Sequence, residues 1–504
     1  MSSKAARYFF YGSVSAFTFI FVWVLYNILL GNNTNAMNPL LVMLGAGVVL
    51  ALLCFVLKWF MAASSDALVK QERKTLVIYF ASLFVLQAVV GTLLAFEPLW
   101  DLGAVFYGAK NLALQGTLAE HMEYFQYFPN TCGGLFVLYL PFKLLALLGF
   151  EYGSQIYYFV AMLLNIALVD VAIYCMYGVC KLRFGINRAL FALFSVLMVP
   201  AVFLFKSPVF YSDTLSMFAP IAIYYLYLKQ QQQPQAKAGR GLFIAMGLLA
   251  GAGYLIKGTP LLMLIAVALD MLFRVNKQNL LKSLVNIAAL ALSFVLVINT
   301  VHFAVYATKT LDRAQVEKYA HTPSFFIMMG LTGSGGYSPE AFEFARSIED
   351  PDERERRQAE AILERIKEYG AAGLTQFFTQ KSVYTWGEGT YGTQEFLDDN
   401  PVYPGFLHEF LLSGGKYHAA FVGVSQCVHV AILFLVVCSL FFTLKRKREE
   451  NMPVIYAFAA VFVFFLFYEA RARIYTNFYP VMLVMVVDGL YELSQCVFCK
   501  DVVK

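Results

Sequence analysis

The stretch FEPLWDLGAVFYGAK (residues 96–110) places two acids, Glu97 and Asp101, directly after a long apolar run. That run has about the twenty residues needed to cross the hydrocarbon core of a bilayer. Carboxylates beside hydrocarbon are energetically costly and usually serve a function. The stretch therefore predicts a transmembrane helix, followed by a partly charged juxtamembrane helix at the membrane surface.

The composition of the whole chain indicates the same class of protein. Of its 504 residues, 60% are hydrophobic and 14% are charged, whereas soluble domains carry about 25% charged residues. Together with repeated long apolar runs, this predicts an all-α polytopic membrane protein. The net charge of +5 is small, and the absence of a basic patch interleaved with aromatic residues argues against nucleic-acid binding.

The apolar runs predict twelve transmembrane spans. These are 8–30, 39–60, 75–95, 153–180, 188–205, 209–228, 240–256, 259–274, 281–306, 417–444, 453–469 and 476–496. The run 132–149 is interrupted by Pro141 and Lys143, and counting it as a span breaks the positive-inside rule for everything after it. We therefore expect 132–149 to be an amphipathic or re-entrant helix on the outer side. Both termini and the run KRKR (445–448) then face the cytoplasm.

This topology divides the chain into four regions. They are an N-terminal transmembrane helix pair with a cytoplasmic loop (1–74), a transmembrane core (75–306) that includes a first outer loop (96–152), a large extracytoplasmic loop (307–416), and the C-terminal transmembrane helices (417–504). The large loop contains DPDERERRQAEAILERIKEYG (350–370), whose Glu and Arg spacings predict a solvated helix. We expect this loop to be mainly helical.

Ionisable residues collect at the predicted outer ends of four separate connections. They are Glu97, Asp101, Lys110, Lys206, Asp213, Lys257, Glu469, Arg471 and Arg473. Basic residues on that side oppose the orientation rule, so they need another reason to be there. Lysine and arginine match the geometry of phosphate well, which predicts an anionic ligand at the outer membrane interface.

Purely structural explanations stay open for the same residues. The two aspartates could cap helices. The two lysines at 206 and 257 could extend to the membrane interface, and the two arginines could pair with Glu469.

A carboxylate at the edge of a bilayer suits one kind of chemistry in particular. When it lies near cations and is partly desolvated, it can act as a general base toward a hydroxyl. The cations stabilise a leaving phosphate as charge develops on it. Transfer of a sugar from a lipid phosphate needs this combination, and Asp101 is placed where water-borne acceptors can reach it.

The same segments resemble a known family. FEPLWDLGAVFYGAKNLALQGTL, followed by YFQYFPNTCGGLFVLYLPFKLL, resembles the first outer loop of GT-C superfamily membrane glycosyltransferases, the family 39 protein-mannosyltransferase-like and bacterial aminoarabinose-transferase-like enzymes. Further segments are similar to elements of bacterial members: VFYSDTLS (209–216), LIKGTPLL (255–262), HTPSFFIMMGL (321–331), YTWGEGTYG (384–392) and EARARIYTNFYP (469–480). The resemblance covers most of residues 75–497. It departs from the family where Asp101 is followed by Leu102 instead of Glu, and where Pro129 is followed by Asn130 instead of Pro.

The resemblance implies roles for individual residues. Asp101 would be the catalytic base, with Glu97 and then Glu120 or Glu123 as alternatives. The substrate-binding candidates are Lys206, Asp213, Lys257, Glu469, Arg471, Arg473, Tyr127, His321 and Trp386. Among these, the lysines and arginines would bind the lipid phosphate, and His321 and Trp386 would close the acceptor side, although packing onto the membrane helices also explains aromatic residues in this loop.

The resulting hypothesis is a GT-C-like bundle of about twelve transmembrane helices in the bacterial plasma membrane. It would transfer a sugar from a polyprenyl phosphate to a hydroxyl of an envelope polymer, a lipid or a protein on the extracytoplasmic side. No cofactor or metal site is indicated, but some GT-C enzymes use a divalent cation, so a requirement stays open. The alternatives are a lipid or solute transporter or flippase, for which Asp170 is the mid-span acid, and a non-catalytic scaffold.

Overall fold

The structure is a computed structural model that describes residues 4–30, 37–232, 239–276, 278–398 and 400–498. Across these ranges the chain is helical, and its β-pairing is limited to one isolated bridge between Phe96 and Pro401. The all-α polytopic fold class is therefore confirmed.

The helices follow one another with short connections, except in the region between residues 307 and 417. Up to that region they are α1 (Lys4–Leu29), α2 (Pro39–Ala62), α3 (Ser65–Leu93), α4 (Trp100–Gln115), α5 (Met122–Tyr127), α6 (Cys132–Leu147), α7 (Ile156–Phe184), α8 (Ile186–Leu197), α9 (Pro200–Phe203), α10 (Ser212–Leu215), α11 (Phe218–Gln232), α12 (Gly239–Ile256), α13 (Pro260–Phe273) and α14 (Leu280–Ala307). The remaining helices are α15 (Arg313–Tyr319), α16 (Pro323–Gly330), α17 (Pro339–Arg346), α18 (Pro351–Trp386), α19 (Gln394–Leu397), α20 (His408–Leu411), α21 (His418–Arg446), α22 (Met452–Phe467) and α23 (Tyr479–Phe498).

Nine helical segments in the described ranges are long and apolar enough to cross a membrane. They are Arg7–Leu29, Pro39–Ala62, Ser65–Leu93, Pro129–Leu147, Ile156–Phe184, Leu280–Ala307, His418–Arg446, Glu449–Phe467 and Thr476–Val497. Three shorter apolar helices accompany them, namely Ile186–Leu197, Gly241–Ile256 and Pro260–Phe273. The chain thus has the multi-pass character predicted from its composition.

Two of the predicted spans are wrong in their extent. The run 188–205 is divided, because α8 ends at Leu197 and Pro200 begins the separate turn α9. Proline has no N–H to donate and favours the first position of a helix. The run 209–228 is also divided, into the four-residue helix α10 and the helix α11, which begins at Phe218.

The run 132–149, predicted as an outer amphipathic or re-entrant helix, forms the continuous helix α6 through Pro141. Together with the turn that begins at Pro129, it is long and apolar enough to count among the nine segments. The start of α6 packs so closely on the end of α12 that a Cβ added at Gly133 would lie 2.3 Å from the Leu255 carbonyl. The side chains of Leu140, Leu144 and Leu147 are exposed on the outside of α6, which gives this helix a face suited to lipid.

The connections between the helices lie at two opposite ends of the bundle. At one end, Ser65 donates a hydrogen bond to Asn187 at 2.7 Å and Arg274 donates to the Glu449 carbonyl at 3.1 Å. This end joins the connections after α2, α7, α13 and α21, which the predicted topology places in the cytoplasm. The connections after α3, α9, α12 and α22 meet at the other end, which we call the rim.

The cationic run KRKR is anchored to α23. Arg448 lies 2.7 Å from Asp488 and also contacts Glu492, which pairs with Arg446 at 2.6 Å. The two acids are one helical turn apart on α23 and are buried. The run therefore holds α21 and α23 together in addition to any effect on orientation.

Helices α21 and α23 approach each other closely at Gly489. A Cβ at this position would lie 2.0 Å from the carbonyl oxygen of Leu435. Small residues at such contacts let helices pack at short range, which matters where burial of apolar surface from water contributes little.

We expect Gly489→Leu to destabilise the folded protein by about 1–3 kcal/mol, since a larger side chain must push the two helices apart. Thermal unfolding of the purified protein in detergent measures this change. The control is Gly12→Leu, because Gly12 is exposed and a Cβ there meets no atom within 4 Å. Equal melting temperatures for the two variants would contradict the close contact.

The large loop is helical and is joined to the first outer loop. Its longest helix, α18, changes direction at Gly370, whose φ of 56° and ψ of −176° suit a residue without a Cβ. Near the end of the loop, the Glu97 amide donates to the Asn400 carbonyl at 3.2 Å and the Val402 amide donates to the Ala95 carbonyl at 2.8 Å. These two bonds connect residues 400–402 to the segment that precedes α4.

Candidate functional site

Charged residues from three connections meet at the rim around Asp213. This residue lies in the first turn of α10, is buried, and forms an ion pair with Lys257 from the α12–α13 connection. Its second oxygen lies 2.9 Å from Arg473 Nη1, from the α22–α23 connection. We call the group of Lys206, Asp213, Lys257, Glu395, Glu469, Arg471 and Arg473 the rim cluster.

Glu395, from the large loop, completes the pairing of the arginines. It lies 3.1 Å from Arg473 Nε and 3.2 Å from Arg471 Nη1. Glu395 was not among the site residues predicted from the sequence, and the arginines were expected to pair with Glu469 if they paired at all. The segment GTQEFLDDN that carries Glu395 is polar and ordinary for a loop, so local pattern gave no signal for it.

Lys206 joins the rim cluster to the large loop. The side chain is buried, and its Nζ donates to the Tyr391 carbonyl at 2.7 Å. Asn165 of α7 fixes the turn by donating to the carbonyls of Lys206 and Ser207 at 3.2 and 3.1 Å. Lys206 and Lys257 therefore point into the protein, and the explanation that they extend to the membrane interface is wrong.

Asn477 ties the same connections together and was also missed by the sequence analysis. Its side-chain amide donates to Ser216 Oγ at 3.1 Å and to Thr259 Oγ1 at 2.8 Å. All three residues are buried at the rim. Each of them belongs to a different connection. A polar residue within the aromatic segment TNFYP was the available signal.

Asp101 lies at the surface beside the rim cluster. Helix α4 has Leu99 at its N-cap, and Asp101 sits in the first turn without capping it. Instead, the Tyr211 hydroxyl donates to Asp101 Oδ2 at 2.9 Å. The guanidinium of Arg473 lies 5.3 Å from the centre of the Tyr211 ring. A single tyrosine side chain thus separates the exposed carboxylate of Asp101 from the rim cluster, and capping does not explain either Asp101 or Asp213.

The charges of the rim cluster shift one another's ionisation. Burial would raise the pKa of Asp213, but Lys257, Arg473 and Lys206 outweigh it and lower that pKa to about 2. Burial lowers the pKa of Lys206 to about 8, against the opposing effect of Asp213. Burial and the nearby Asp101 raise the pKa of Glu469, although Arg473 and Arg471 oppose them. The cations of the rim cluster are therefore largely balanced by its own carboxylates.

Arg471 retains free donor capacity within this balanced group. Its Nε is buried and has no hydrogen-bond partner among the residues that the structure describes. A buried guanidinium nitrogen without a partner is energetically unfavourable, and it is well suited to donate to an anionic ligand.

The alternative acids of the first outer loop lie apart from the rim cluster. Glu97 is exposed and accepts a hydrogen bond from Tyr107 at 3.4 Å. Glu120 lies 3.6 Å from His121, and Glu123 pairs with Arg346 of the large loop at 2.6 Å. The geometry therefore favours Asp101 over these three acids as the residue nearest the cations.

Tyr127 and His321 form a separate aromatic group. Their ring centres are 5.2 Å apart, and His321 stacks on Phe325 with 3.8 Å between ring centres. Burial, with help from Arg354 and Arg346, lowers the pKa of His321 to about 4, so the imidazole is neutral at neutral pH. This group is not part of the rim cluster.

Trp386 is placed differently from the expectation that it closes the acceptor side. Only 1% of it is exposed, and it stacks on Tyr475 with 4.3 Å between ring centres. Phe21 of α1 and Phe462 of α22 pack around it. Trp386 therefore anchors the end of α18 in the core, as packing onto the membrane helices requires.

The profile of one protein family, described as "Conserved hypothetical integral membrane protein", matches residues 1–490. The chain belongs to this family. The description agrees with the multi-pass architecture. A search of curated proteins finds no match.

Among solved structures, the fold is similar to that of ArnT from Cupriavidus metallidurans bound to undecaprenyl phosphate. That match has a TM-score of 0.38 and 15% sequence identity, and it covers 83% of this chain and 78% of ArnT. The apo state of the same protein matches with a TM-score of 0.38 and 14% identity, over the same shares of the two chains.

Proposed function

We propose that the protein is an integral membrane glycosyltransferase that moves a sugar from a polyprenyl phosphate to an acceptor hydroxyl on the extracytoplasmic side. The single observation that carries this proposal is the arrangement of Asp101, Tyr211 and Arg473. An exposed carboxylate at the edge of a helix bundle lies one side chain away from a buried group of lysines and arginines. The resemblance of the surrounding segments to GT-C enzymes gives the reaction class.

In the proposed reaction, Asp101 removes the proton from the acceptor hydroxyl. The hydroxyl oxygen attacks the anomeric carbon, and the bond between that carbon and the phosphate oxygen breaks with inversion. Both electrons of the broken bond go to the phosphate, which leaves as polyprenyl phosphate. Burial and Asp101 raise the pKa of Tyr211, so its hydroxyl stays protonated and can hold the carboxylate in position.

We propose that Arg471 binds the leaving phosphate and that Arg473 and Lys257 lie on the inner side of Arg471. Arg471 is half-buried and carries the unpartnered Nε described above. Asp213 contacts Lys257 and Arg473, and Glu395 contacts Arg473 and the Nη1 atom of Arg471, but Arg471 Nε has no partner among the described residues. A phosphate would therefore approach Arg471 first, and charge developing on it would be stabilised by donors fixed in advance.

A direct assay tests the proposal. Purified protein is given polyprenyl-phosphate sugars and a mixed set of hydroxyl acceptors, with and without Mg²⁺, and release of free polyprenyl phosphate is measured. We expect release that depends on both the sugar lipid and the acceptor. The same preparation in vesicles is tested for movement of labelled polyprenyl phosphate between leaflets. Movement without release would support a flippase and overturn the glycosyltransferase.

Glu469→Gln should bind polyprenyl phosphate more tightly than the wild type at pH 8, and the two affinities should converge as pH falls through the raised pKa of Glu469. The raised pKa of Glu469 means that this carboxyl takes up a proton at a higher pH than an ordinary glutamate. Its protonation removes a negative charge next to Arg471, Arg473, Lys257 and Asp101. We expect the Kd of Glu469→Gln at pH 8 to be about three- to tenfold lower than that of the wild type, a difference of roughly 1 kcal/mol.

Titration calorimetry in detergent at several pH values measures this dependence. The ratio of the wild-type Kd to that of Glu469→Gln should shrink as pH falls, because the titrations of the phosphate and of Lys206 affect both proteins alike. A ratio that is the same at every pH would contradict the assignment.

A further inference from the structure

A cavity of about 230 Å³ lies beside α4, apart from the rim cluster. Its lining includes Glu97, Tyr107 and Lys110, together with Gly153 and its neighbours at the start of α7, and Val402 with Tyr403 of the large loop. Asp101 and Lys110 are nine residues apart, which places them on opposite faces of a helix with 3.6 residues per turn. The cavity is several times larger than the roughly 30 Å³ share of one water molecule.

Lys110 supplies the positive charge of this cavity. The residue is 7% exposed, and its Nζ lies 4.3 Å from the centre of the Tyr152 ring and 5.3 Å from that of Tyr157. Phe106 and Tyr107 lie slightly farther away, at 5.7 and 5.9 Å. In the described part of the chain, Lys110 has no carboxylate within 4.0 Å and no hydrogen-bond acceptor. Burial lowers its pKa.

An ammonium group on a mostly buried lysine, with no anion beside it, carries a desolvation penalty. The aromatic rings offset part of that penalty. A ligand that brings one negative charge into the cavity would offset more, because it replaces lost water contacts with a charge-assisted hydrogen bond.

Glu97 restricts the charge of such a ligand. It lines the same cavity, is exposed, and is not within ion-pair distance of Lys110. The cavity therefore has a positive and a negative side. A group with a single negative charge fits beside Lys110, whereas a second negative charge would be repelled by Glu97.

The surface next to the cavity is apolar. Leu147, Leu148 and Phe150 are 74%, 66% and 40% exposed, and they directly precede the cavity residues that begin at Gly153. Tyr152, whose ring faces the ammonium group, is also 40% exposed. Apolar side chains exposed in this number are suited to contact with acyl chains.

We propose that this cavity binds the singly charged phosphodiester headgroup of a membrane phospholipid, with Lys110 contacting the phosphate and the acyl chains lying along the exposed end of α6. The site is separate from the one assigned to polyprenyl phosphate, and it does not depend on the proposed glycosyltransferase activity. We assign the phosphate group to a lipid and not to free phosphate, because the exposed apolar surface leads directly to the cavity.

Native mass spectrometry of the full-length protein in detergent tests the proposal with three probes. These are a short-chain phosphatidylglycerol, a diacylglycerol of the same chain length, and inorganic phosphate. We expect phosphatidylglycerol to bind, diacylglycerol to bind at least about tenfold more weakly, as expected for the loss of a charged contact, and millimolar phosphate not to compete.

Four variants make the test specific. Lys110→Gln should weaken phosphatidylglycerol binding by about tenfold or more, and Lys110→Arg should largely retain it. Gly153→Leu should narrow the cavity with the lysine intact, because Gly153 lines it, and the variant should fold, because a Cβ there meets no atom within 4 Å. Lys309→Gln is the matched control, since Lys309 is an exposed lysine at the same end of the chain's transmembrane core.

Three results would overturn the proposal. They are equal phosphatidylglycerol binding by the wild type, Lys110→Gln and Gly153→Leu, equal binding of diacylglycerol, and full competition by inorganic phosphate. The last result would show a site for free phosphate in place of a lipid headgroup. If Lys110→Gln does not fold, Gly153→Leu decides the question by itself.

Discussion

Asp101→Asn should lower kcat for sugar transfer by about 10²- to 10⁴-fold, the usual contribution of a general base. The amide cannot accept the proton of the acceptor hydroxyl, although it can still accept the hydrogen bond from Tyr211 that the carboxylate accepts at 2.9 Å. Because Asp101 is exposed and does not cap α4, we expect the variant to fold. Release of polyprenyl phosphate under single-turnover conditions measures the effect, and the melting temperature checks the fold.

Glu97→Gln is the matched control for this prediction. Glu97 is an exposed acid in the same short stretch, but it faces Tyr107 and not Tyr211. It should retain most of the activity. If Glu97→Gln is inactive and Asp101→Asn is active, the base is Glu97. If both variants are fully active, neither acid is the base and the assignment of the site is wrong.

The second large effect is on stability, at Asp213. Asp213→Ala would leave Lys257 and Arg473 without the carboxylate that both contact. Removing one partner of a buried ion pair costs about 3–5 kcal/mol, because the remaining charges stay in a poorly solvated environment. The side chains concerned are only 3%, 12% and 16% exposed, so screening by water is weak. Thermal and denaturant unfolding in detergent measure the loss.

A double variant shows whether the loss comes from the unpaired charges. Asp213→Ala combined with Lys257→Met removes a positive charge together with the negative one, and it should be more stable than Asp213→Ala alone. Glu353→Ala is the control, since Glu353 pairs with Arg356 and Arg357 on the exposed side of α18, where such pairs contribute about 0–1 kcal/mol. A double variant no more stable than the single one would show that Asp213 acts through packing.

The sequence predicted the architecture because the membrane imposes a strong constraint on it. Apolar length and the distribution of basic residues were enough to group the ends of the connections correctly, so that Lys206, Asp213, Lys257 and Arg473 were expected together and are found together. Where the prediction of spans was wrong, as at 188–205 and 209–228, hydropathy was uniform across a break. It does not distinguish one long helix from a short helix followed by a turn.

The partners of the charged groups were beyond the reach of the sequence. Glu395 lies 78 residues before Arg473 in the chain, within a polar loop. Its contact depends on how that loop folds back on the bundle. The placement of Trp386 could not be predicted for a similar reason, since its burial against Tyr475 follows from the path of α18 after Gly370. Long-range pairing of this kind leaves no periodic pattern that a reading of local sequence could detect.

The pairing of residues 95–97 with 400–402 has a consequence for which substitutions this junction tolerates. It is made by main-chain atoms alone, so almost any side chains are compatible with it, whereas a proline at 97 or 402 would abolish one bond. Residues 400–402 lead into the segment that returns to the membrane, and residues 95–97 lead directly to Asp101. The end of the large loop and the segment that leads to Asp101 are therefore held together by a pairing that changes of side chain leave intact.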